Sequence, residues 1–330
     1  MSKRIAIIGA GLSGAVLAHR LCQAGHIVTV FEKSRGTGGR IASSRIEGSS
    51  ADIGLPYFND VSDSFTRWLK QQACITSWVA QVKTSKDLDV SHEYLVAVPR
   101  LSSLTRALLA DATLVTRCRI SHIWPDNIGV VVRDEDGNAI DHFDAVVITA
   151  PAPQAAVLLE ALPRFAHKAE SVTPTANWVA LVGLTTHSEI SADILWGSGV
   201  INRAVRDSSK PEHHGGKYPE TWVIEASTEW TNLNLETPKE DVAQQLISAF
   251  NNMIGLALKP GYIRAHRWLY ARHTPPTVKD QPNESYLWSK QDKIGVCGDW
   301  LLAGDATLTP AEAAWKSAQD LSDALLIELA

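Results

Sequence analysis

The stretch Ile5-Ala6-Ile7-Ile8-Gly9-Ala10-Gly11-Leu12-Ser13-Gly14 decides the reading of this chain. Four apolar residues run straight into the spacing G-x-G-x-x-G. Val16, Leu17, Ala18, Leu21 and Cys22 then recur at helical spacing, and Gly25 stops the helix. Ile27 to Phe31 is a second apolar, β-branched run, and it ends on Glu32. Strand, glycine turn, helix, strand and acid is the order a dinucleotide site requires. The glycines allow a tight turn and close backbone approach, and the helix N-terminus faces a pyrophosphate. Gly9, Gly11, Leu12, Ser13 and Gly14 are therefore expected around the phosphates. Glu32 falls close to the roughly 20-residue distance at which an acid accepts from a ribose hydroxyl.

The following residues select the dinucleotide. An NAD domain would turn from the acid into its next helix. Here the chain continues Lys33-Ser34-Arg35-Gly36-Thr37-Gly38-Gly39-Arg40. These glycines let backbone approach a large ligand, and Arg40 offers a forked set of donors to phosphate oxygens. The alternative is a flexible, solvated basic loop.

At these residues the chain resembles the flavin amine oxidase superfamily, in which a similar G-G-R loop follows the acid and the dinucleotide is FAD. Ala51-Asp52-Ile53-Gly54-Leu55-Pro56-Tyr57-Phe58 is similar to the superfamily's D-x-G segment beside the flavin. Ala145 to Gln154 is similar to its strand-to-loop crossover, and Gly295-Val296-Cys297-Gly298-Asp299-Trp300 to its C-terminal G-D motif. Within the superfamily the chain resembles the renalase group, especially its bacterial members, through Lys33 to Gly36, Thr149 to Gln154 and Ala265-His266-Arg267-Trp268-Leu269-Tyr270-Ala271. The resemblance implies FAD contacts from Lys33, Gly39, Arg40, Ile53, Gly54 and Ala150. It implies a backbone contact from Ile120 to the adenine, and contacts from Gly298 and Asp299 to the ribityl chain. It also implies an oxidase that takes hydride from isomeric dihydro-NAD(P) onto flavin N5, gives NAD(P)+, and reduces O2 to H2O2. Cys297 lies inside a strand motif and is expected to pack, so FAD is expected to be held non-covalently.

The chain departs from that pattern. Leu55-Pro56 stands where related bacterial sequences have Ala-Gln, so a donor N–H is lost and bulk is added. Glu312-Ala313-Ala314 and Ser317-Ala318 replace Glu-Gly-Ala and Ser-Gly. A second Gly-Asp occurs at Gly304-Asp305, but Gly298-Asp299 directly follows a strand.

Composition bounds the rest. With 330 residues the chain is long enough for two domains. Its net charge of −5 provides no global basic field for nucleic acid. Arg203, Arg206 and Lys210 read as a solvated face or a site for a substrate phosphate. Cys22, Cys74, Cys118 and Cys297 are scattered, which suits a reducing compartment and argues against a zinc site or disulfide framework. Lys3-Arg4 and the apolar run imitate a signal peptide, but the fingerprint accounts for the same residues. No apolar run reaches the roughly 18 residues of a membrane span. A cytoplasmic protein without membrane or nucleic-acid partners is expected.

The predicted fold class is α/β: a doubly wound FAD-binding domain of the Rossmann-like, glutathione-reductase type, with an inserted mixed α/β substrate domain. The first comprises residues 1–60, 99–153 and 291–330; the second, 61–98 and 154–290. Helices are predicted at 62–73, with Ser62 or Asp63 as cap, at 101–109, near 242–250 and at 310–329. Strands are predicted between 114 and 148, at 178–184, 222–226, 266–270 and 294–297; residues 75–98 carry no clear pattern. The loop Ser208 to Pro219 is expected to be exposed, and its adjacent His213 and His214 to point apart rather than bind metal.

Hydride transfer from a dihydronicotinamide needs no general base. It needs the donor carbon near attack distance of flavin N5, about 3–3.5 Å. Strand alternation puts His266, Trp268 and Tyr270 on one face. If that face lines the cavity, Trp268 stacks on the nicotinamide and His266 bonds its carboxamide; otherwise Trp268 and Tyr270 are core and His266 is a satisfied structural histidine. Tyr57 is either a third wall or sheet-edge packing, and Asp52 a structural or flavin-loop acid. An amine oxidase is the second reading, since an aromatic pocket suits a neutral amine. A flavin-binding protein with little turnover is the third. O2 and a small-molecule substrate, dihydronicotinamide dinucleotide or amine, are the expected partners.

Overall fold

The computed structural model describes residues 1–59, 61–84, 89–214, 216–274 and 284–329. The boundary residue expected at 60, and 85–88 and 275–283 of the expected substrate domain, lie outside the described residues. The fold is α/β, as the sequence predicts. Five parallel strands, in the order Ile294–Cys297, Ala145–Ile148, Arg4–Ile8, Ile27–Glu32 and Thr113–Thr116, form the nucleotide sheet, with antiparallel Tyr286–Ser289 at one edge. Strand order reverses direction at Arg4–Ile8, and a ligand crevice belongs beyond the C-terminal ends of the strands at such a point. Arg4–Ile8 is buried on both sides from Ile5 onward, which explains its unbroken apolar run.

The helix Leu12–Gln23 starts at Gly11 and packs against the closing helix Pro310–Glu328. That last helix begins with a Thr309 N-cap, and its Glu312 reaches out to a neighbouring segment. The Thr309 hydroxyl accepts from the Glu312 amide at 3.3 Å, and the carboxylate of buried Glu312 accepts from the Ser62 amide at 3.2 Å. Ala313 and Ala318 are buried within this helix, so the two departures from glycine add methyl groups to packed space.

A second sheet of seven strands carries the other half of the molecule, in the order Pro260–Thr274, Thr173–Leu184, Glu220–Ala226, Ile201–Arg206, Ile194–Trp196, Ile75–Lys83 and Asp89–Ala97. The helix Lys239–Ile254 packs on one face, over Trp178 and Trp222. Residues 75–98, which show no clear pattern in the sequence, supply the last two strands. Ile75–Lys83 alternates exposed and buried residues, as a strand with one face to solvent does, and its Val79 is 63% exposed.

Ser62 caps the helix Asp63–Lys70 by accepting from the Phe65 amide. That helix buries Phe65 and Leu69 in the core that also holds Ile5 and Val30. Helices Ala152–Leu158 and Pro163–Glu170 likewise pack with Ala6, Ile8 and Val146. These three helices share the nucleotide core, although the expected division puts most of them with the substrate segments. Among the described residues, no helix is long and apolar enough to cross a membrane.

Candidate functional site

The cradle is built from two glycine loops stitched together by backbone. The Gly38 amide donates to the Ala10 carbonyl at 2.8 Å, and Gly11 and Gly38 form an isolated parallel bridge. A Cβ on Gly14 would lie 2.0 Å from the Gly9 carbonyl oxygen, so the protein itself demands that glycine. A Cβ on Gly11 would meet no protein atom within 4 Å. Gly11 therefore keeps clear the space before the helix N-terminus, where a pyrophosphate belongs. Glu32 is buried, and its carboxylate accepts from the Ala10 amide at 3.0 Å and the Ser34 amide at 2.8 Å. Each oxygen keeps a further lone pair for a ribose hydroxyl. Ile120 lies next to this end, because the Cys118 amide donates to the Glu32 carbonyl.

The G-G-R loop, the D-x-G segment and the G-D motif meet at one place. The Leu55 amide donates to the Arg40 carbonyl at 2.8 Å, and a Cβ on Gly54 would lie 2.0 Å from that oxygen. Arg40 directs its fork at Asp299, with Nη1 at 2.7 Å and Nη2 at 2.5 Å from the two carboxylate oxygens. His273 Nδ1 reaches the same carboxylate at 3.2 Å. Burial opposes ionisation of Asp299, but the Arg40 charge and the hydrogen bonds from His273 and Arg40 outweigh it and hold its pKa below the usual carboxylate range. Since Asp299 is ionised, Nδ1 carries a hydrogen. Among the described residues, His273 Nε2 is buried without a hydrogen-bond partner, as are Arg206 Nε and the indole nitrogens of Trp288 and Trp315. An orphaned imidazole nitrogen on the G-D motif fits a ligand that supplies its hydrogen bond.

Lys33 donates to the Gln154 side chain at 2.9 Å, and the Ala150 carbonyl accepts from the Trp300 indole at 3.2 Å. The Gly298 amide is held by Ser317 at 2.8 Å. Asp305, by contrast, is spent on its own loop, accepting from Thr307. Cys297 is fully buried, and burial pushes its thiol pKa far up.

On the substrate side, Trp268 and His266 share a face, as strand alternation predicts, with rings edge to face at 4.5 Å. The Trp268 indole donates to the Ile53 carbonyl at 2.9 Å, directly before Gly54, which ties this wall to the flavin loop. Burial, then the charges of Lys239 and Arg264, lower the His266 pKa to about 4, so it stays neutral near pH 7. Tyr270 does not follow by alternation. It falls in a bulge where Leu269 to Ala271 stand opposite a single partner residue, between the pairs Thr175–Arg272 and Asn177–Trp268. Tyr57 is buried against Trp78 and Tyr94, and its hydroxyl accepts from Arg203 Nη1 at 3.3 Å.

Two clusters escape the sequence reading. Glu225 collects Arg203 Nε at 2.6 Å, Asn177 Nδ2 at 2.9 Å, Arg272 Nη2 at 3.0 Å and Asn202 Nδ2 at 3.3 Å. The second corrects the expectation of an exposed 208–219 loop and a solvated Arg203-Arg206-Lys210 face. Lys210 and His213 are buried, with Lys210 Nζ 2.9 Å from Asp52 and 2.6 Å from Asp207. The His213 nitrogens face the Asp207 carboxylate and the Ala97 carbonyl, each at 3.2 Å. Both partners are acceptors, so His213 is an imidazolium and two cations neutralise two carboxylates. Asp52, Asp207 and His213 are grouped closely enough to hold a metal ion, but the Lys210 ammonium lies between the carboxylates. His214 is exposed, pointing away from His213. Arg206 Nη2 bonds the Ile190 and Ala192 carbonyls. Charge pairing across distant segments drew these cations inside, and local composition carries no trace of it.

Comparison with known proteins follows the same lines. The profile "NAD(P)-binding Rossmann-like domain" matches residues 7–71, and "Flavin containing amine oxidoreductase" matches residues 92–326. A 4,4'-diapophytoene desaturase (4,4'-diaponeurosporene-forming) of Staphylococcus aureus is 43% identical over 99 residues, which is 29% of this chain and 20% of the desaturase. The match thus spans about a fifth of that relative's length. A putative protoporphyrinogen oxidase from Exiguobacterium sp. 255-15 superposes with TM-score 0.75 at 13% identity, covering 99% of both chains. An oxidoreductase from Methanosarcina mazei superposes with TM-score 0.70 at 13% identity, over 97% of this chain and 100% of that one. At such identities the likeness is one of fold.

Proposed function

The chain belongs to the flavin containing amine oxidoreductase family, and from that premise we propose that it is an FAD-dependent oxidase resembling renalase, which converts isomeric dihydro-NAD(P) to NAD(P)+. FAD, when bound non-covalently, supplies the hydride acceptor at N5 and passes the electron pair to O2, giving H2O2. The observation that carries the reading is the tie between Trp268 and Ile53. It fixes an aromatic wall against the D-x-G segment, with neutral His266 at its edge. Trp268 gives a flat donor ring a surface to stack on, and His266 offers its imidazole to the carboxamide. Neither residue needs to take a proton for hydride to leave a dihydronicotinamide.

Arg40 and Asp299 would hold the ribityl and phosphate region, Glu32 the ribose, and the Gly11 cradle the pyrophosphate. Lys33, Ile120 and Ala150 would border the dinucleotide. The amine-oxidase reading is restricted to a neutral amine. The Arg203 guanidinium already lies over the Tyr57 ring at 5.5 Å and the Trp196 ring at 5.7 Å, so a cationic amine there would meet like charge.

The test is the visible spectrum of the purified protein under anaerobic conditions, before and after addition of mixed dihydro-NAD isomers. Bleaching that reverses on admitting air supports the oxidase. An unchanged flavin spectrum rejects it and turns the search to amines or to a protein with little turnover.

A further inference from the structure

We infer that Arg272, held by Glu225 beside Arg203, is a subsite for an anionic group of the substrate, a phosphate or carboxylate carried on a flat ring. The inference rests on the reading above that a flavin occupies the cradle, and it names the substrate's chemistry at that same site.

Placement comes first. Arg272 sits between two residues that touch the flavin motifs. The Ala271 carbonyl accepts from Arg40 at 3.5 Å, and His273 reaches Asp299 at 3.2 Å. Its partner Arg203 donates to the hydroxyl of Tyr57, three positions after Gly54. The pair therefore spans from the D-x-G segment to the G-D motif. Trp268 flanks it, opposite Asn177 in the strand ladder, and Asn177 is itself a donor to Glu225.

Charge comes second. Two guanidiniums share one carboxylate, so the cluster keeps a net positive charge. Arg203 is engaged and covered: Nε serves Glu225, Nη1 serves Tyr57, and its side chain is 14% exposed. Arg272 is not. It spends Nη2 on Glu225, and its side chain is 49% exposed. Among the described residues, Glu225 thus fixes Arg272 while leaving most of its donor fork free, and a fork held in place is suited to bidentate recognition of phosphate or carboxylate. Arg264, two positions before His266 on the same strand, adds a further positive charge on that face. A neutral hydrocarbon makes no use of this charge, and a cationic amine is repelled by it.

The experiment uses the flavin-loaded protein and reads binding from perturbation of the flavin spectrum. Nicotinamide mononucleotide is compared with nicotinamide riboside, and benzoate with benzamide, in wild type, Arg272→Met and Arg272→Lys. The expected result is a preference of tenfold or more for the anionic member of one pair. Arg272→Met abolishes the preference and Arg272→Lys keeps part of it. Preference within the nucleotide pair identifies phosphate, and preference within the benzoate pair identifies carboxylate. Equal binding of anionic and neutral members, or a preference that survives Arg272→Met, overturns the inference. If Arg272→Met fails to hold flavin, the wild-type preference is measured against chloride concentration, where a salt-independent preference overturns it as well. Failure of dihydronicotinamide isomers to bleach the flavin would remove only the oxidase reading, because anion preference is read without turnover.

Discussion

Arg40 and Asp299 form a two-pronged ion pair, at 2.7 and 2.5 Å, across 259 positions of sequence. Asp299 is 5% exposed, so replacing it strands a largely buried guanidinium. Asp299→Asn is expected to lower stability by about 3 kcal/mol, toward the low end for breaking a buried pair because Arg40 keeps some solvent. The pair also sets a pH dependence. The folded pKa of Asp299 is depressed, so its contribution is complete above the ordinary carboxylate value of about 4 and is lost as pH falls toward the folded value. Urea denaturation between pH 3 and 7 should show a shallower acid loss for Asp299→Asn than for wild type; parallel curves would contradict the assignment.

Lys210 neutralises Asp52 and Asp207 where water is excluded. Lys210→Met leaves two carboxylates facing each other, and a loss of roughly 3–5 kcal/mol is expected. In a chain of this size that corresponds to a Tm lowered by roughly 4–7 °C. Adding Asp207→Asn should recover part of it. Calorimetry on the single and double variants checks the point, and strict additivity would argue against the pairing.

His213 responds in the opposite sense to Asp299. Burial opposes its charge, but the hydrogen bond and charge of Asp207 raise its pKa, with Lys210 and Asp52 as the other charged groups facing it. Stability from the imidazolium is complete below the unfolded value of about 6.5 and declines as pH rises through the folded value. Wild type is thus expected to weaken between pH 6 and 9 by a component that His213→Gln lacks. Equal slopes for the two proteins would refute it.

The fingerprint glycines should separate folding from cofactor binding. Gly14→Ala drives a methyl onto the Gly9 carbonyl and is expected to unfold or strongly destabilise the protein. Gly11→Ala meets no protein atom. It should leave Tm within about 1 °C, because a surface change away from such features costs under roughly 0.5 kcal/mol, while flavin retention falls at least tenfold. Flavin absorbance per protein and thermal unfolding read the two effects separately.

His266 has a pKa near 4, and flavin reduction by dihydronicotinamide isomers should therefore show no inflection near pH 6.5. Trp268→Phe loses the bond to Ile53, worth about 1 kcal/mol, or roughly fivefold in substrate affinity if the wall shifts. Stopped-flow reduction across pH 5.5–8 tests both statements.

What could be read beforehand follows from how local each signal is. The Ile5-to-Glu32 unit was legible because period, glycines and acid lie within thirty residues of one another. Trp268 and His266 were legible as a shared face because alternation needs only adjacent residues. Tyr270 was not, since the bulge depends on the partner strand Thr173–Leu184. Lys210 and His213 looked like loop residues among Gly and Pro, yet the carboxylate that holds Lys210 from across the molecule is at position 52. Arg203, Arg272 and Glu225 likewise come from three strands, and no spacing rule joins them.

The second sheet takes its edge from strands Ile75–Lys83 and Asp89–Ala97, and Ile194 pairs back onto Val82. The nucleotide sheet, begun at Arg4, is completed only by Ile294–Cys297. Neither half is a continuous piece of chain. During synthesis, the strands at 75–97 can join the rest of their sheet only once residues 194–206 have left the ribosome, and Ala145–Ile148 gains its outer neighbour only after residue 297. The two halves must then mature together, and neither sheet can be excised, exchanged or duplicated as one contiguous cassette.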